Sequence, residues 1–310
     1  MKKEELYFRS SAGTCNIRTV LYLPEEEPKA ILQIAHGMDE FIDRYEDFAS
    51  FLCGKGFLVA GNDFLGHGAS INTEEDWGYF AEKDGNGCLL KDMASVTKLV
   101  KQCYPNKPYF LLGHSMGSFY ARQYICDYPD NVEGAIIMGT GMQPKAVVKA
   151  GMAVCKTLAL FKGWHYRSGF VNKMATGSYN RQFEPARTRA DWLTKDKKIV
   201  DWYIKEPRCS FLFTLNGYYS MFQGILRLHD KKLLAQMNKE LPMFFVSGAY
   251  DPVGANGEEV ELAMLSVREA GVQDVQMKLY PEDRHEILNE TDRKEVYQDL
   301  YDWMYSKIIR

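Results

Sequence analysis

Short apolar runs alternate along the chain with longer segments whose apolar residues recur every three to four positions. The apolar runs are typical of buried strands: "KAILQIAHG", "FLVAGND", "YFLLGHS" and "VEGAIIMGTG", then "MFFVSGAYDP" and "VQMKLYPEDRHE" after a long interruption. Segments with the helical period lie between or after them: "YEDFASFLCGKG", "LLKDMASVTKLVKQCYP", "EEVELAMLSVREAG" and "DRKEVYQDLYDWMYSKII". This alternation predicts an α/β fold with a mostly parallel central sheet and helices on both faces.

The two ends of this pattern and its interruption define the predicted organisation. The opening "LYFRSSAGTCNIRTVLYLP" predicts an antiparallel hairpin at the edge of the sheet. About a hundred residues separate the fourth apolar run from the fifth, which is too long for a loop in a compact domain. We therefore predict an α/β core of residues 1–142 and 242–310 and an inserted helical cap over residues 143–241. Most aromatic side chains of the cap are expected to form its own small core, and others to line an apolar pocket between cap and core.

Composition and charge exclude several classes of protein. The 310 residues have a formal net charge of −3, so no basic excess favours nucleic-acid binding. The N-terminal "MKKEELYFRS" lacks the apolar stretch of a secretory signal, and no apolar run approaches the roughly 20 residues of a membrane span. Seven scattered cysteines without a C-x-x-C pair indicate reduced, mostly buried thiols. We expect a soluble cytoplasmic protein.

Ser115 lies within "GHSMG", residues 113–117, a match to G-x-S-x-G that chance alone often supplies. Here the pentapeptide joins the apolar run "YFLLGH" to the helical "MGSFYARQY", which is the strand-to-helix setting of a nucleophile elbow in α/β-hydrolases. A turn this sharp brings backbone segments so close that side chains at Gly113 and Gly117 would clash. The context therefore predicts that Ser115 is a nucleophile.

A serine hydroxyl needs a base to accept its proton, and in this fold an acid and then a histidine follow the serine along the chain. Of six histidines, only His285, in "LYPEDRHEILNE", follows the last strands. Asp251, in "MFFVSGAYDPVG", comes directly after the penultimate strand, at the carboxyl edge where active sites of α/β sheets gather. Either residue alone also fits a turn-forming aspartate or a surface histidine. Their order and positions together predict a triad of Ser115, Asp251 and His285.

Two backbone amides are candidates for an oxyanion hole. One is the N–H of Met116, directly after the nucleophile, and the other is the N–H of Met38 in the loop after "AILQIAHG". His36 and His67 are expected to form structural hydrogen bonds rather than to act in catalysis. No group of histidines, cysteines and carboxylates has metal-ligand spacing, so we predict neither a metal nor a cofactor.

These motifs resemble those of the monoacylglycerol lipase and lysophospholipase-like branch of the α/β-hydrolases, a group often classed with serine aminopeptidases. The resemblance rests on "HGMDEFIDRYEDFASFL", "NDFLGHGAS", "GHSMGS", "SGAYDPVG" and "RHEILNE", and "GYFAEKDG" and "ADWLTKDKKIVDWYIKEP" are similar to bacterial members. The chain departs from the family where it has Phe41-Ile42-Asp43-Arg44-Tyr45 in place of H-S-G-R-Y, and where "DFLGHG" replaces D-H-R-G-H-G. Asp39 is a further departure, because it puts a carboxylate beside the proposed oxyanion donor.

The resemblance implies a serine esterase that releases a fatty acid from a monoacylglycerol, a lysophospholipid or a similar small-molecule ester. An amidase or aminopeptidase would use the same triad, and a non-catalytic protein of this fold could bind a small apolar ligand. Carbon–carbon hydrolases and cofactorless haloperoxidases share the scaffold, but no feature of the cap favours them. The apolar first cap helix, "PKAVVKAGMAVCKTLALFKG", raises a further alternative, a transient contact of the cap with a membrane surface. The sequence does not indicate an oligomeric state.

Overall fold

The computed structural model of the protein describes residues 1–308. Within that range the strands are β1 (Lys2–Arg9), β2 (Asn16–Leu23), β3 (Ala30–Ala35), β4 (Phe57–Asn62), β5 (Tyr109–His114), β6 (Gly134–Met138), β7 (Met243–Gly248) and β8 (Val275–Tyr280). The α-helices are α1 (Glu46–Gly54), α2 (Gly85–Cys103), α3 (Met116–Asp127), α4 (Lys145–Lys162), α5 (Gly169–Thr176), α6 (Lys197–Tyr203), α7 (Leu215–Arg227), α8 (Lys231–Leu234), α9 (Glu258–Glu269) and α10 (Arg293–Ile308).

The strands form a single sheet in the order β1-β2-β4-β3-β5-β6-β7-β8. Strand β2 is antiparallel to β1 and to β4, and the six strands β3 to β8 are parallel to one another. The predicted mostly parallel sheet and its antiparallel edge hairpin are therefore confirmed. Because parallel strands end at one edge of a sheet, the residues that follow β5, β7 and β8 are brought to the same side of the molecule.

Alternating side chains of the sheet contribute to two apolar layers, one on each face, as the two-residue period of a strand requires. Ile31 and Leu111 belong to one layer, where α2, α3 and α9 pack against the sheet. Leu32 and Leu112 belong to the other, which α1 and α10 cover. Helices on both faces explain why β3, β4, β5, β6 and β7 are buried along their whole length.

The chain between β6 and β7 contains α4, α5, α6, α7 and α8, and we propose to treat residues 143–241 as the cap. Helix α7 joins it to the core, because it packs against α2 and α3 as well as against α4. Accordingly, the buried aromatic residues Phe213, Tyr218 and Phe222 belong to the main apolar layer rather than to a core of the cap's own. A small separate cluster does exist around Ala190, Leu193 and Val200, with Trp192 and Tyr203 against it.

Two further expectations concern the cysteines and the membrane. All seven cysteines are free, and six of them are buried, as the scattered spacing predicts. Among the helices within residues 1–308, none combines the length and the apolar character that crossing a bilayer would require.

Candidate active site

Ser115 occupies the turn between β5 and α3 with a backbone conformation that L-residues rarely adopt, φ 54° and ψ −121°. A conformation of this kind costs of order 1–3 kcal/mol and persists only where the surroundings fix it. Here the Ser115 N–H donates to the carbonyl of Met138 in β6 at 3.0 Å. The Ser115 carbonyl in turn accepts hydrogen bonds from the amide and the hydroxyl of Ser118, at 2.9 and 2.6 Å. The turn is therefore held from both sides.

The two glycines of the pentapeptide are required by close backbone approach. A Cβ at Gly117 would overlap the carbonyl oxygen of Ala35 at the end of β3. A Cβ at Gly113 would overlap the carbonyl oxygen of Gly117 and lie 2.6 Å from the Cβ of Ala121. The first turn of α3 thus packs directly on the end of β3, and this contact explains the steric requirement that the sequence predicts.

Asp251 and His285 lie beside each other at the carboxyl edge of the sheet. The Nδ1 of His285 is 2.9 Å from Oδ2 and 3.0 Å from Oδ1 of Asp251. Asp251 also accepts hydrogen bonds from the Ser247 hydroxyl and the Val253 amide, each at 2.9 Å. Both side chains are almost completely buried. An aspartate bonded to Nδ1–H fixes the tautomer of the imidazole and leaves Nε2 as its basic nitrogen.

Two aromatic rings pack against the His285 imidazole. The ring of His114, from β5, is 4.8 Å from it, and the indole of Trp192, from the cap, is 5.0 Å away. The backbone of Gly139 approaches closely as well, because a Cβ there would lie 3.1 Å from Cε1 of His285. The imidazole therefore has little freedom to rotate.

A short cap segment, residues 191–195, fastens the loop that carries His285, and we call it the strap. The Glu286 amide donates to the Leu193 carbonyl at 2.7 Å, and the His285 amide to the Trp192 carbonyl at 3.4 Å. At the end of the strap, the Lys195 ammonium donates to Asp283 at 2.7 Å. Carboxylates of Asp283, Glu290 and Asp292 lie close together here, but Lys195 already supplies a cation to this group.

A cavity of about 430 Å³ lies between cap and core, and Ser115 and His285 both line it. Met38 and Met116, the two residues whose amides are predicted to bind an oxyanion, line it too. The Met116 amide is the first of α3, and the first N–H groups of a helix have no acceptor within the helix. Apolar side chains form much of the remaining wall: Phe119, Ala175, Trp192, Phe211, Leu212, Met221, Phe222 and Ile225. Such a lining suits an apolar chain.

A buried group of charged side chains adjoins this cavity, and three of its members, Glu40, His114 and Glu286, line the cavity. Glu40 accepts hydrogen bonds from the Tyr45 hydroxyl and the Nδ1 of His114, each at 2.9 Å, and from Arg44 at 2.8 Å. Arg44 also donates two hydrogen bonds to Glu286, the neighbour of His285, both at 2.7 Å. Every charge in the group therefore has a partner of opposite sign, which buried charges require.

These partners shift the protonation equilibria of the group. Burial alone would lower the pKa of His114, but the charge of Glu40 and its hydrogen bond raise that pKa above its ordinary value. Burial would likewise raise the pKa of Glu40, yet the charges of His114 and Arg44 keep it well below the usual range of a glutamate. A positively charged imidazole at position 114 is thus stabilised next to His285.

The structure therefore brings Asp251 and His285 together and places Ser115, Met38 and Met116 around the same cavity. Their catalytic roles stay predictions. His36 forms a structural hydrogen bond, because its Nε2 accepts one from the Phe64 amide at 2.9 Å. The Nδ1 of His67 lies 3.3 Å from the Leu65 carbonyl oxygen.

The sequence does not reveal the contacts that Glu40, Trp192 and His114 make in the site. The spacing of Glu40 and Arg44 by four residues was a detectable signal. The same spacing of opposite charges is also common on solvent-exposed helix faces, so it does not identify a buried ion pair.

Comparison with known proteins identifies the family to which the chain belongs. A family model described as "Serine aminopeptidase, S33" matches residues 26–292. The chain belongs to this family. It is similar to the monoglyceride lipase of Mus musculus, with 30% identity over 92% of this chain and 85% of that protein. It is also similar to the monoacylglycerol lipase of Mycolicibacterium smegmatis, with 25% identity over 96% of this chain and 97% of that one.

Among solved structures, a thermostable carboxyl esterase from Bacillus coagulans, crystallised in complex with glycerol, superimposes with a TM-score of 0.91. It is 29% identical, and the match covers 99% of both chains. These relatives confirm the α/β-hydrolase fold and the resemblance to the monoacylglycerol lipase branch.

Adding one methyl group at Gly117 tests the packing of α3 on β3. Gly117→Ala should lower the free energy of unfolding by about 1–3 kcal/mol or more, because the new Cβ overlaps the Ala35 carbonyl. Urea denaturation measures the change. Gly54→Ala is the matched control, since a Cβ there meets nothing within 4 Å and should have little effect. Equal midpoints for the two variants would contradict the proposed contact.

The ion pair of His114 and Glu40 should make stability depend on pH. Because folding raises the pKa of His114, its charge stabilises the fold at low pH, and that contribution is lost as the pH rises through the raised value. His114→Gln should therefore lower the free energy of unfolding by on the order of 3 kcal/mol at pH 6. At pH 9 the same substitution should lower it by less. His229→Gln, which removes a histidine paired with the Gln143 carbonyl, serves as the control. A loss from His114→Gln that is the same at both pH values would argue against a charged pair.

Proposed function

We propose that the protein hydrolyses esters of fatty acids with glycerol or a similar alcohol through an acyl-enzyme on Ser115. Membership of the family and full-length likeness to lipases and esterases make the chain a carboxylic ester hydrolase. The observation that carries the proposed mechanism is the pairing of His285 Nδ1 with the buried Asp251 carboxylate at 2.9 Å, on a cavity that Ser115 also lines.

In the proposed reaction, Ser115 Oγ attacks the ester carbonyl carbon while Nε2 of His285 takes its proton. The carbonyl oxygen becomes an oxyanion and accepts hydrogen bonds from the Met38 and Met116 amides. When the intermediate collapses, the carbon–oxygen bond to the alcohol breaks, and the alcohol leaves with the proton from the imidazolium. Water then attacks the acyl-enzyme with His285 again as the base, which releases the fatty acid and restores Ser115.

The cavity supports a fatty acyl group as the acid half of the substrate. Its volume of about 430 Å³ can hold a ligand of moderate size, and its apolar wall removes a hydrocarbon chain from water. Relatives named monoglyceride or monoacylglycerol lipases support glycerol as the alcohol half.

Removing the nucleophile or disturbing the histidine tautomer should stop turnover. Ser115→Ala and Asp251→Asn should each lower kcat/KM for a monoacylglycerol by roughly 10⁴-fold or more, because members of a triad act as a unit. Initial rates of fatty-acid release measure this effect. Ser95→Ala, on the exposed face of α2, is the control and should retain full activity. If Ser115→Ala retains the wild-type rate, the acyl-enzyme mechanism is wrong.

An aminopeptidase would use the same residues on an amide, and the description of the family names that activity. A direct comparison of an alanine or proline nitroanilide with a monoacylglycerol on one preparation separates the two substrates. We expect the monoacylglycerol to give the higher kcat/KM, since the cavity wall is largely apolar. Faster release of nitroaniline would instead favour the amidase. Absence of turnover and of Ser115 labelling by a fluorophosphonate would favour a binding protein.

We also propose that the cap contacts a membrane surface transiently. At the end of α4, Leu160 and Phe161 are 83% and 80% exposed, and Phe170 at the start of α5 is 66% exposed. Lys156, Lys162 and Lys173 lie on the same two helices, so these helices carry both apolar and basic side chains. This combination is typical of helices that rest on an anionic membrane interface.

Changing this surface should weaken binding to lipid. Leu160→Asp combined with Phe161→Asp should reduce by at least about tenfold the fraction that sediments with vesicles of phosphatidylcholine and phosphatidylglycerol. Leu262→Asp on α9 replaces an equally apolar side chain, 53% exposed, outside the cap and should sediment like the wild type. If wild type and double variant sediment equally, the cap is not a membrane-contacting surface.

A further inference from the structure

Asp39 lines the candidate active-site cavity, and no mechanistic step above uses it. Asp39 follows Met38 in the loop after β3 and has a left-handed backbone conformation, φ 55°. Ser115 and His285 line the same cavity. The Oδ1 of Asp39 is shielded from solvent and accepts no hydrogen bond from the described part of the chain, residues 1–308.

A buried acceptor without a partner is costly, so its retention at a cavity wall points to a ligand that supplies a donor. Glu40, the next residue, shows the contrast, because its carboxylate is bonded to His114, Tyr45 and Arg44. Burial raises the pKa of Asp39 well above its usual range, although the charges of Arg189 and Arg167 oppose this shift. Retention of the proton would keep a negative charge away from the adjacent oxyanion, and the carbonyl oxygen of the acid remains an acceptor.

We propose that Asp39 determines specificity for the alcohol half of the substrate by accepting a hydrogen bond from a free hydroxyl group. This inference rests on the proposed esterase function. A fatty acyl chain carries no hydrogen-bond donor, and the ester carbonyl is itself an acceptor, so the donor belongs to the alcohol. Asp39 directly follows Met38, whose amide is the proposed oxyanion donor, which puts the carboxyl near the reacting ester group. Such a contact favours an ester whose alcohol keeps a free hydroxyl group over the ester of a simple alkanol.

Two substitutions at position 39 distinguish the effect of the acceptor oxygen from the effect of the backbone conformation. Asp39→Gly removes the acceptor and fits a positive φ without strain, whereas Asp39→Asn keeps an acceptor oxygen and also tolerates that conformation. The matched substrates are a 1-monoacylglycerol and the propyl ester of the same fatty acid, whose alcohols have three carbons each. Only the glycerol ester has free hydroxyl groups. The propyl ester therefore reports whether each variant is folded and whether its oxyanion hole works.

Measurement of kcat/KM for both esters gives the test. Asp39→Gly should lower kcat/KM for the monoacylglycerol by about 10-fold to 100-fold and change that for the propyl ester by less than about threefold. Asp39→Asn should stay within about threefold of wild type on both substrates. An equal fall on both esters for Asp39→Gly would overturn the proposal, because it would mean that Asp39 only shapes the oxyanion loop. No change on either ester would overturn it as well.

The proposed function fails in a distinguishable way. In that case the wild type hydrolyses neither ester, or Ser115→Ala keeps the rate, whatever residue stands at position 39. Failure of the present inference alone leaves wild-type ester hydrolysis and its dependence on Ser115 intact.

Discussion

The close contact between the first turn of α3 and the end of β3 is the constraint on which the candidate site depends. It requires glycine at positions 113 and 117, because any side chain there would overlap backbone carbonyl groups. It forces Ser115 into a strained conformation and leaves its hydroxyl at the end of the sheet. It also brings the Met116 amide next to the loop that carries Met38. One packing contact thus fixes the proposed nucleophile and the proposed oxyanion donors relative to each other.

The cap does more than cover the cavity, because it helps to hold the proposed base. The strap bonds to the backbone of His285 and Glu286, and Trp192 packs against the imidazole. On the other side, Arg44 connects Glu286 to the buried charges around Glu40. The loop of His285 is therefore held by the cap and by the core together. Movement of the strap away from the core would break these hydrogen bonds and release one side of the imidazole.

The sequence predicted what depends on local periodicity and on chain order. The strands, the edge hairpin and the helices of the core follow from apolar spacing, and the glycines around Ser115 follow from the geometry of the turn. Asp251 and His285 were predicted from their order along the chain and their positions after strands, and the structure brings them into hydrogen-bond distance.

Contacts between distant segments could not be predicted in this way. The pairing of Trp192 with His285 joins residues 93 positions apart, and no local pattern encodes it. Likewise, most aromatic side chains of the cap were expected to form its own core, but those of Phe213, Tyr218 and Phe222 extend the main apolar layer. An amphipathic pattern indicates that a helix buries one face without identifying the surface that covers it.

Covalent labelling of the wild-type protein tests the central claim, that Ser115 is an activated nucleophile, most directly. The protein would be treated with an alkyl fluorophosphonate, and the adduct located by mass spectrometry of the intact chain and of its peptides. The account predicts one adduct, on the peptide that contains Ser115, together with loss of ester hydrolysis in proportion to labelling. Full ester hydrolysis after complete labelling, or an adduct on a different serine that abolishes hydrolysis, would contradict it.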